Sequence, residues 1–147
     1  MTPLEFLCVA LGVTAAAMLA SRVARLRRQR ALANLAQRWR MHYSPHDVFR
    51  LADRVAHRFP VAGAADVRVT DLVYGIEGDY HRYIFSTEFT IGVVRSKKRL
   101  ARVVSFREPK GRTDPALWPE LELADESLPL VEQYDSIHAR HASTSVS

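Results

Sequence analysis

The 147-residue sequence contains a single cysteine, Cys8, and lacks the short motifs that carry common enzyme chemistry. One cysteine excludes an intrachain disulfide, so the fold does not require an oxidising compartment. The sequence has no glycine-rich phosphate loop, serine elbow, paired-cysteine motif or acidic metal-binding loop. Cys8 also lies inside an apolar run, which excludes a thiol nucleophile in the remainder of the chain. These absences favour a binding role over catalysis, and no catalytic residue, cofactor or metal site is predicted.

Lysine and arginine are missing from the first 21 residues, where a cleavable secretory signal carries its positive charge. Residues 4–24 are almost entirely apolar and would span about 31 Å as a helix, which matches the hydrocarbon core of a bilayer. Arginines follow this run directly, so the positive-inside rule predicts an outside N-terminus and a cytoplasmic remainder. A signal peptide cut near Ala20 and a soluble protein with a buried N-terminal helix are the alternatives.

Two groups of arginines are candidate membrane-interface or anion contacts. One follows the apolar run, and the other has the i, i+4, i+8 spacing of a helix face: Arg22, Arg25, Arg27, Arg28 and Arg30, then Arg50, Arg54 and Arg58. Lysine and arginine near an anionic leaflet are attracted to its headgroups. Nucleic acid is the other partner that an arginine excess suits, but the positive-inside rule already accounts for the first group.

Three small residues, Gly12, Ala16 and Ala20, repeat every four positions along the predicted span. Such a ladder lets two membrane helices approach closely, so these residues are candidate helix–helix contacts in a homodimer. An alanine-rich span also produces this spacing by chance.

Charge divides the chain unevenly. Residues 1–112 hold 20 of the 21 Lys and Arg residues and 9 of the 16 Asp and Glu residues, a net charge of +11, whereas residues 113–147 have a net charge of −6. Combined with periodicity, this layout predicts five segments. They are a transmembrane anchor (1–24), a basic helical stalk (25–43), an α+β domain (44–108), an extended acidic segment (109–136) and a disordered tail (137–147).

Within the stalk, Leu32, Leu35, Ala36 and Trp39 have helical spacing and form the stripe expected to meet the domain. Ser44-Pro45 is typical of a helix start, and the helix it predicts ends at Phe59-Pro60.

Beyond residue 66 the period changes to two, which predicts a three-stranded antiparallel meander under the 45–59 helix. The polar side of the central strand, with Arg82, Ser86 and Glu88, is expected to face solvent. Trp118 in the acidic segment is a possible partner contact.

Histidines are the remaining candidates for chemistry. His42 and His46 are four residues apart, but Ser44-Pro45 interrupts a helix between them and no third ligand is nearby in sequence. His81 opens the central strand near a carboxylate, Glu88, so an enzyme that uses His81 or His42 is kept as an alternative. A solvated, polar sheet surface is the simpler interpretation.

The arginine-flanked run, the segment Trp39-Arg-Met-His-Tyr43 before Ser44-Pro45, the Tyr74-Gly75 hairpin start and the Tyr83-x-Phe85 strand together resemble small single-span bacterial inner-membrane proteins of unassigned function. The resemblance covers residues 1–108 and implies an inner-membrane location, with no activity attached. The sequence as a whole predicts a membrane-anchored cytosolic adaptor with a protein partner. A binder of anionic lipid or nucleic acid is the first alternative, and no small-molecule substrate is expected.

Overall fold

The computed structural model describes residues 2–92, 98–111 and 120–142. The chain is α+β, as the sequence predicts, but its antiparallel sheet has five strands rather than three, in the order β1-β2-β3-β4-β5. The strands are His42–His46 (β1), Ala65–Glu77 (β2), Tyr80–Ile91 (β3), Lys98–Pro109 (β4) and Glu122–Leu123 (β5). The helices are Pro3–Arg38 (α1), Leu51–Ala56 (α2) and Leu130–Ala142 (α3).

α1 is one continuous helix of 36 residues that begins at a capping box formed by Thr2 and Glu5. Its N-terminal part is apolar and exposed, and it is long and apolar enough to be a membrane span or a signal sequence. Its C-terminal part packs on the sheet, where Leu32, Leu35 and Ala36 are buried. The predicted stripe is therefore confirmed, and no loop separates the apolar part of α1 from the part that packs.

The meander of β2, β3 and β4 is confirmed, and each of these strands is 12 or 13 residues long. Helices cover both of its faces. α1 and α3 pack on one face around Val73, Ile84 and Val103. α2 packs on the other face, where Phe85 lies in the buried cluster.

The first strand lies where the sequence predicts a helix start. Ser44 and Pro45 belong to β1, and helix α2 is confined to Leu51–Ala56. The N-cap residue, Arg50, makes no side-chain cap; instead the carboxylate of Asp47 accepts hydrogen bonds from the backbone N–H groups of Leu51 (2.8 Å) and Ala52 (2.9 Å). A proline is tolerated in β1 because β1 is an edge strand of the sheet.

The C-terminal part of the chain is more regular than the sequence predicts. β5 pairs with β4 inside the segment expected to be extended. α3 takes in 130–136 of that segment and 137–142 of the predicted disordered tail, and residues 143–147 of that tail lie outside the described residues. Tyr134 and Ile137 of α3 are completely buried. α3 is stabilised because the sheet supplies an apolar surface for these two side chains, which with Leu130 have the i, i+4, i+7 spacing of one helix face.

Candidate functional site

A groove opens at one end of the sheet, on the face covered by α2. Its volume is about 410 Å³, and we name it the aromatic groove. It is lined by His42, Tyr74, Gly75, Ile76, His81 and Tyr83 of the sheet, and by Arg40 and Phe49 of two connecting turns.

Strand register builds the floor of the aromatic groove. Tyr74 of β2 lies opposite both His42 of β1 and Tyr83 of β3, and Ile76 lies opposite His81. Directly opposed residues in an antiparallel pair have their side chains on the same face, so these side chains meet. The His42 and Tyr74 rings are 5.4 Å apart between centroids.

Phe49 covers the floor from the turn that Asp47 organises. Its ring meets Tyr74 edge-on at 4.9 Å and Tyr83 at 5.7 Å between centroids. Tyr83 continues the aromatic contacts to Phe106, at 4.8 Å. Burial, with the nearby Glu108 carboxylate, raises the pKa of the Tyr83 hydroxyl, so this phenol stays neutral at physiological pH.

The aromatic groove remains open to solvent although its walls are apolar. Phe49 is 43% exposed and Ile76 is 59% exposed. Outside α1, the described residues include only two other strongly exposed large apolar or aromatic side chains, Val48 and Tyr80. Val48 is next in sequence to Phe49, whereas alternation along β3 places Tyr80 on the opposite face of the sheet from His81. Exposed apolar side chains that line a groove, as Phe49 and Ile76 do, are typical of interaction sites.

Arg40 forms the basic rim of the groove and has an unusual backbone. It follows α1 in the left-handed region, with φ of 56°. Its N–H donates to the Gln37 carbonyl (3.1 Å), and the Met41 N–H donates to the Ala36 carbonyl (2.8 Å). This helix ending usually has glycine at the left-handed position, so an arginine there is strained.

A second polar cluster lies inside the protein and corrects the sequence prediction for the central strand. Arg82 and Ser86 were expected to face solvent, but both are buried beneath α1 and α3. Arg82 donates to Glu77 (3.0 Å) and to the carbonyls of Ile137 (2.7 Å) and His138 (3.2 Å). Its two terminal nitrogens therefore hold α3 on the sheet, whereas its Nε is buried with no hydrogen-bond partner among the described residues.

His138 completes this interior cluster. Its ring stacks on Trp39 at 3.9 Å, and its Nε2 lies 3.3 Å from a carboxylate oxygen of Glu77. The hydrogen bond with His138 and the charge of Arg82 lower the pKa of Glu77 to about 2, although burial opposes the shift.

A buried carboxylate, Asp71, joins α1 to the sheet. It lies at an irregularity in β2 with φ of 52°. One carboxylate oxygen accepts the Tyr43 hydroxyl (2.8 Å), and the other lies 3.3 Å from Nε of Arg28. The Tyr134 hydroxyl donates to the Asp71 carbonyl at 2.5 Å. Burial raises the pKa of both tyrosines, so the two hydroxyls remain donors.

The two arginine groups do not form the surfaces that their spacing suggests. Arg22, Arg25, Arg27 and Arg30 are exposed along α1, but Arg28 is paired with Asp71. The second group does not form one helical stripe, because α2 contains only Arg54. Arg54 pairs with Glu108 at 2.9 Å and lies over the Phe106 ring. Their role as anion contacts stays a prediction.

The other predicted contacts are the three small residues of α1 and Trp118. Gly12, Ala16 and Ala20 lie on the exposed apolar part of α1, and an added Cβ at Gly12 would meet no atom within 4 Å. Trp118 lies outside the described residues. Within the described ranges, no three His, Cys, Asp or Glu side chains are grouped to hold a metal ion.

The sequence does not predict the aromatic groove, although it indicates His42 and His81 separately as candidates. A signal was present in the alternation of Tyr74 with Ile76 and of His81 with Tyr83, which places four large side chains on one face of a hairpin. No protein-family model matches this chain, and comparisons with curated proteins and with solved structures also give no match.

Proposed function

We propose that this chain is a membrane-anchored, non-catalytic adaptor that captures a segment of a partner protein in the aromatic groove. The observation that carries the proposal is the location of the exposed apolar side chains. Among the four large ones that the described residues outside α1 include, Phe49 and Ile76 line this groove, and Val48 is next in sequence to Phe49. Removal of such surface from water is the main favourable contribution to association.

The apolar part of α1 supports membrane anchorage. It contributes no buried residue to the domain, and its large side chains, among them Leu4, Phe6 and Leu19, are mostly exposed. A soluble protein would bury such a helix. The arginines that follow favour an outside N-terminus and a cytoplasmic domain in a bacterial inner membrane.

Anchorage and topology are tested with the full-length protein expressed in bacteria. We expect it to resist extraction from membranes by alkaline carbonate, and we expect a periplasm-dependent phosphatase fused to the C-terminus to be inactive. Release by carbonate, an active fusion or loss of the first 20 residues from the mature chain would contradict this part of the proposal.

Docking is tested by photo-crosslinking in intact cells. A benzophenone amino acid at Ile76 is expected to yield a discrete adduct, whereas the same probe at the exposed Asp135 of α3 is expected to yield none. Phe49→Ala removes one wall of the groove and should abolish the adduct. An adduct that survives Phe49→Ala, or equal adducts from both positions, would contradict docking in the groove.

A second candidate function is acid–base catalysis by His42 and His81. It is favoured by one observation, since both histidines line the same groove. Histidine is the usual general acid or base, and the groove would supply the concave pocket that catalysis needs. NMR titration of both histidines in the detergent-solubilised protein tests it. Mutual dependence of the two titrations, measured with His42→Gln and His81→Gln, would favour catalysis over docking.

A further inference from the structure

We infer that the aromatic groove binds an acidic peptide segment of an extramembrane partner, with Arg40 as the contact for its carboxylate. This inference rests on the proposed function, because it names the chemistry of the partner that the groove docks. It follows from the height of the groove along α1, the charges around it and the backbone of Arg40.

The first argument is the direction in which α1 crosses the sheet. Arg28 of α1 contacts Asp71 at the middle of β2, and Met41, just after α1 ends, lies against Gly75, where an added Cβ would be 2.8 Å from the Met41 Cγ. The C-terminal part of α1 therefore leads along β2 from its middle toward its end at Glu77. The aromatic groove lies at that end, remote from the apolar part of α1.

On the proposed anchorage, with α1 along the bilayer normal, the resulting height argues against lipid as the occupant. From Arg22 at the edge of the apolar run to Arg38 at the end of α1, the helix rises about 24 Å. Arg40 and His42 of the groove follow directly. This separation is about three Debye lengths at physiological ionic strength, so headgroup charge has little influence there. Because α1 is continuous, the groove is held at this height.

The second argument is charge. The groove lining contains Arg40, His42 and His81 and no carboxylate. Glu108, which lies opposite His81, pairs with Arg54, and Glu77, next in sequence to Ile76, pairs with Arg82 on the opposite face. Among the described residues Arg40 has no ion-pair partner. An aromatic floor with an uncompensated guanidinium at its rim fits an apolar anchor residue next to an Asp or Glu.

The third argument is the backbone of Arg40, whose left-handed conformation is the one that glycine adopts most easily. A strained residue that serves no ion pair in the fold, at the rim of an open groove, is typical of a functional site. Arg50 provides a matched comparison, because it also has a left-handed backbone, with φ of 54°, but does not line the groove.

The experiment selects binders from a displayed library of random 12-residue peptides, with the full-length protein in nanodiscs as bait. We expect enriched peptides to carry Asp or Glu beside Trp, Phe or Leu. Arg40→Gly should weaken the binding of an enriched peptide at least tenfold, and Arg50→Gly should leave it unchanged. Both variants relieve backbone strain, so loss of folding does not explain a difference between them.

A second measurement completes a double-mutant cycle between Arg40 and the carboxylate of the peptide. Replacement of the peptide Asp by Asn should cause the same loss with wild type and no further loss with Arg40→Gly. Enriched peptides without a carboxylate, equal losses in Arg40→Gly and Arg50→Gly, or no enriched peptide at all would overturn the inference. In each of these cases a discrete adduct from Ile76 in cells would leave the docking function standing, so the two failures are distinguishable.

Discussion

At the scale of single residues, Arg82 and Arg40 represent opposite uses of a guanidinium. Arg82 is completely buried and gives its hydrogen bonds to Glu77 and to two carbonyls of α3. Arg40 is exposed at the rim of the aromatic groove and has no carboxylate partner among the described residues. An unpaired buried charge is costly, so the contacts of Arg82 with Glu77 and the two carbonyls stabilise the fold. The guanidinium of Arg40 is available to a ligand.

The ion pair of Arg82 leads to a prediction about stability and pH. Glu77→Gln leaves Arg82 buried without its counter-charge and should lower the free energy of unfolding at pH 7 by about 2 kcal/mol. This is less than for a fully buried pair, because a third of the Glu77 side chain is exposed. Urea unfolding of the detergent-solubilised chain measures the loss.

The pH dependence of the unfolding free energy tests whether the charge of Glu77 causes the effect of Glu77→Gln. The pKa of Glu77 falls from 4.5 to about 2 on folding, so its stabilisation is present above about pH 4.5 and is lost as the pH falls toward 2. Wild type and Glu77→Gln should therefore converge in stability over that interval. A difference that stays constant from pH 7 to pH 2 would exclude the charged pair as its cause.

The strained backbone of Arg40 leads to a second prediction at this scale. Arg40→Gly should raise the free energy of unfolding by about 1 kcal/mol, because glycine adopts the left-handed conformation without a steric penalty. Arg40→Ala keeps the strain and is the control, so it should not be stabilising. A destabilised Arg40→Gly would indicate that the arginine side chain supports the fold.

At the scale of elements, α3 is the helix that completes the core. Tyr134 donates to the Asp71 carbonyl and lies 3.0 Å from the Ser86 hydroxyl, and Ile137 is completely buried against the sheet. α3 thereby converts the polar side of β3 into an interior surface. Without it, Arg82 and Ser86 would be exposed beside apolar Val73 and Ile84.

The contribution of α3 is tested with Ile137→Ala, which should destabilise the chain by about 3 kcal/mol through lost burial and the cavity left behind. Asp135→Ala on the exposed side of the same helix should change stability by less than about 0.5 kcal/mol. Thermal unfolding followed by circular dichroism compares the two. Equal effects would mean that α3 is not docked on the sheet.

At the scale of the whole molecule, α1 fixes the orientation of the domain relative to its own apolar part. β4 runs from Lys98, at the end of the sheet nearest that part, to Pro109 at the end near the aromatic groove. Twelve strand residues extend about 40 Å. On the proposed anchorage, one end of β4 faces the bilayer and the other faces the aqueous phase.

Site-specific labelling tests this orientation. Cys8 is the single cysteine, so Cys8→Ala gives a cysteine-free chain into which one labelling site at a time can be introduced. Fluorophores placed by Lys98→Cys and Lys110→Cys are compared in vesicles that contain headgroup-quencher lipids. Quenching should be several-fold stronger at position 98, because headgroup quenching is short-ranged. Equal quenching, or stronger quenching at position 110, would reverse the orientation and return lipid as a possible occupant of the groove. A protein that does not insert into the vesicles would refute anchorage itself.

The sequence by itself determined the features that depend on local periodicity. The apolar run and its arginines, the stripe of Leu32, Leu35 and Ala36, and the antiparallel pairing of β2 to β4 follow from spacing along one segment. Each could be predicted because a helix or a strand with one buried face repeats its apolar residues with its own period.

Tertiary structure alone decided which surfaces became interior and which became a groove. Arg82 is buried because it meets carbonyls of α3 55 and 56 positions away, and no local pattern encodes that distance. Pro45 lies in a strand because β1 pairs with β2, and the aromatic groove exists because register brings His42, Tyr74 and Tyr83 together. The physical reason is common to all three, since burial and hydrogen bonding depend on which elements meet, whereas periodicity describes only each element alone.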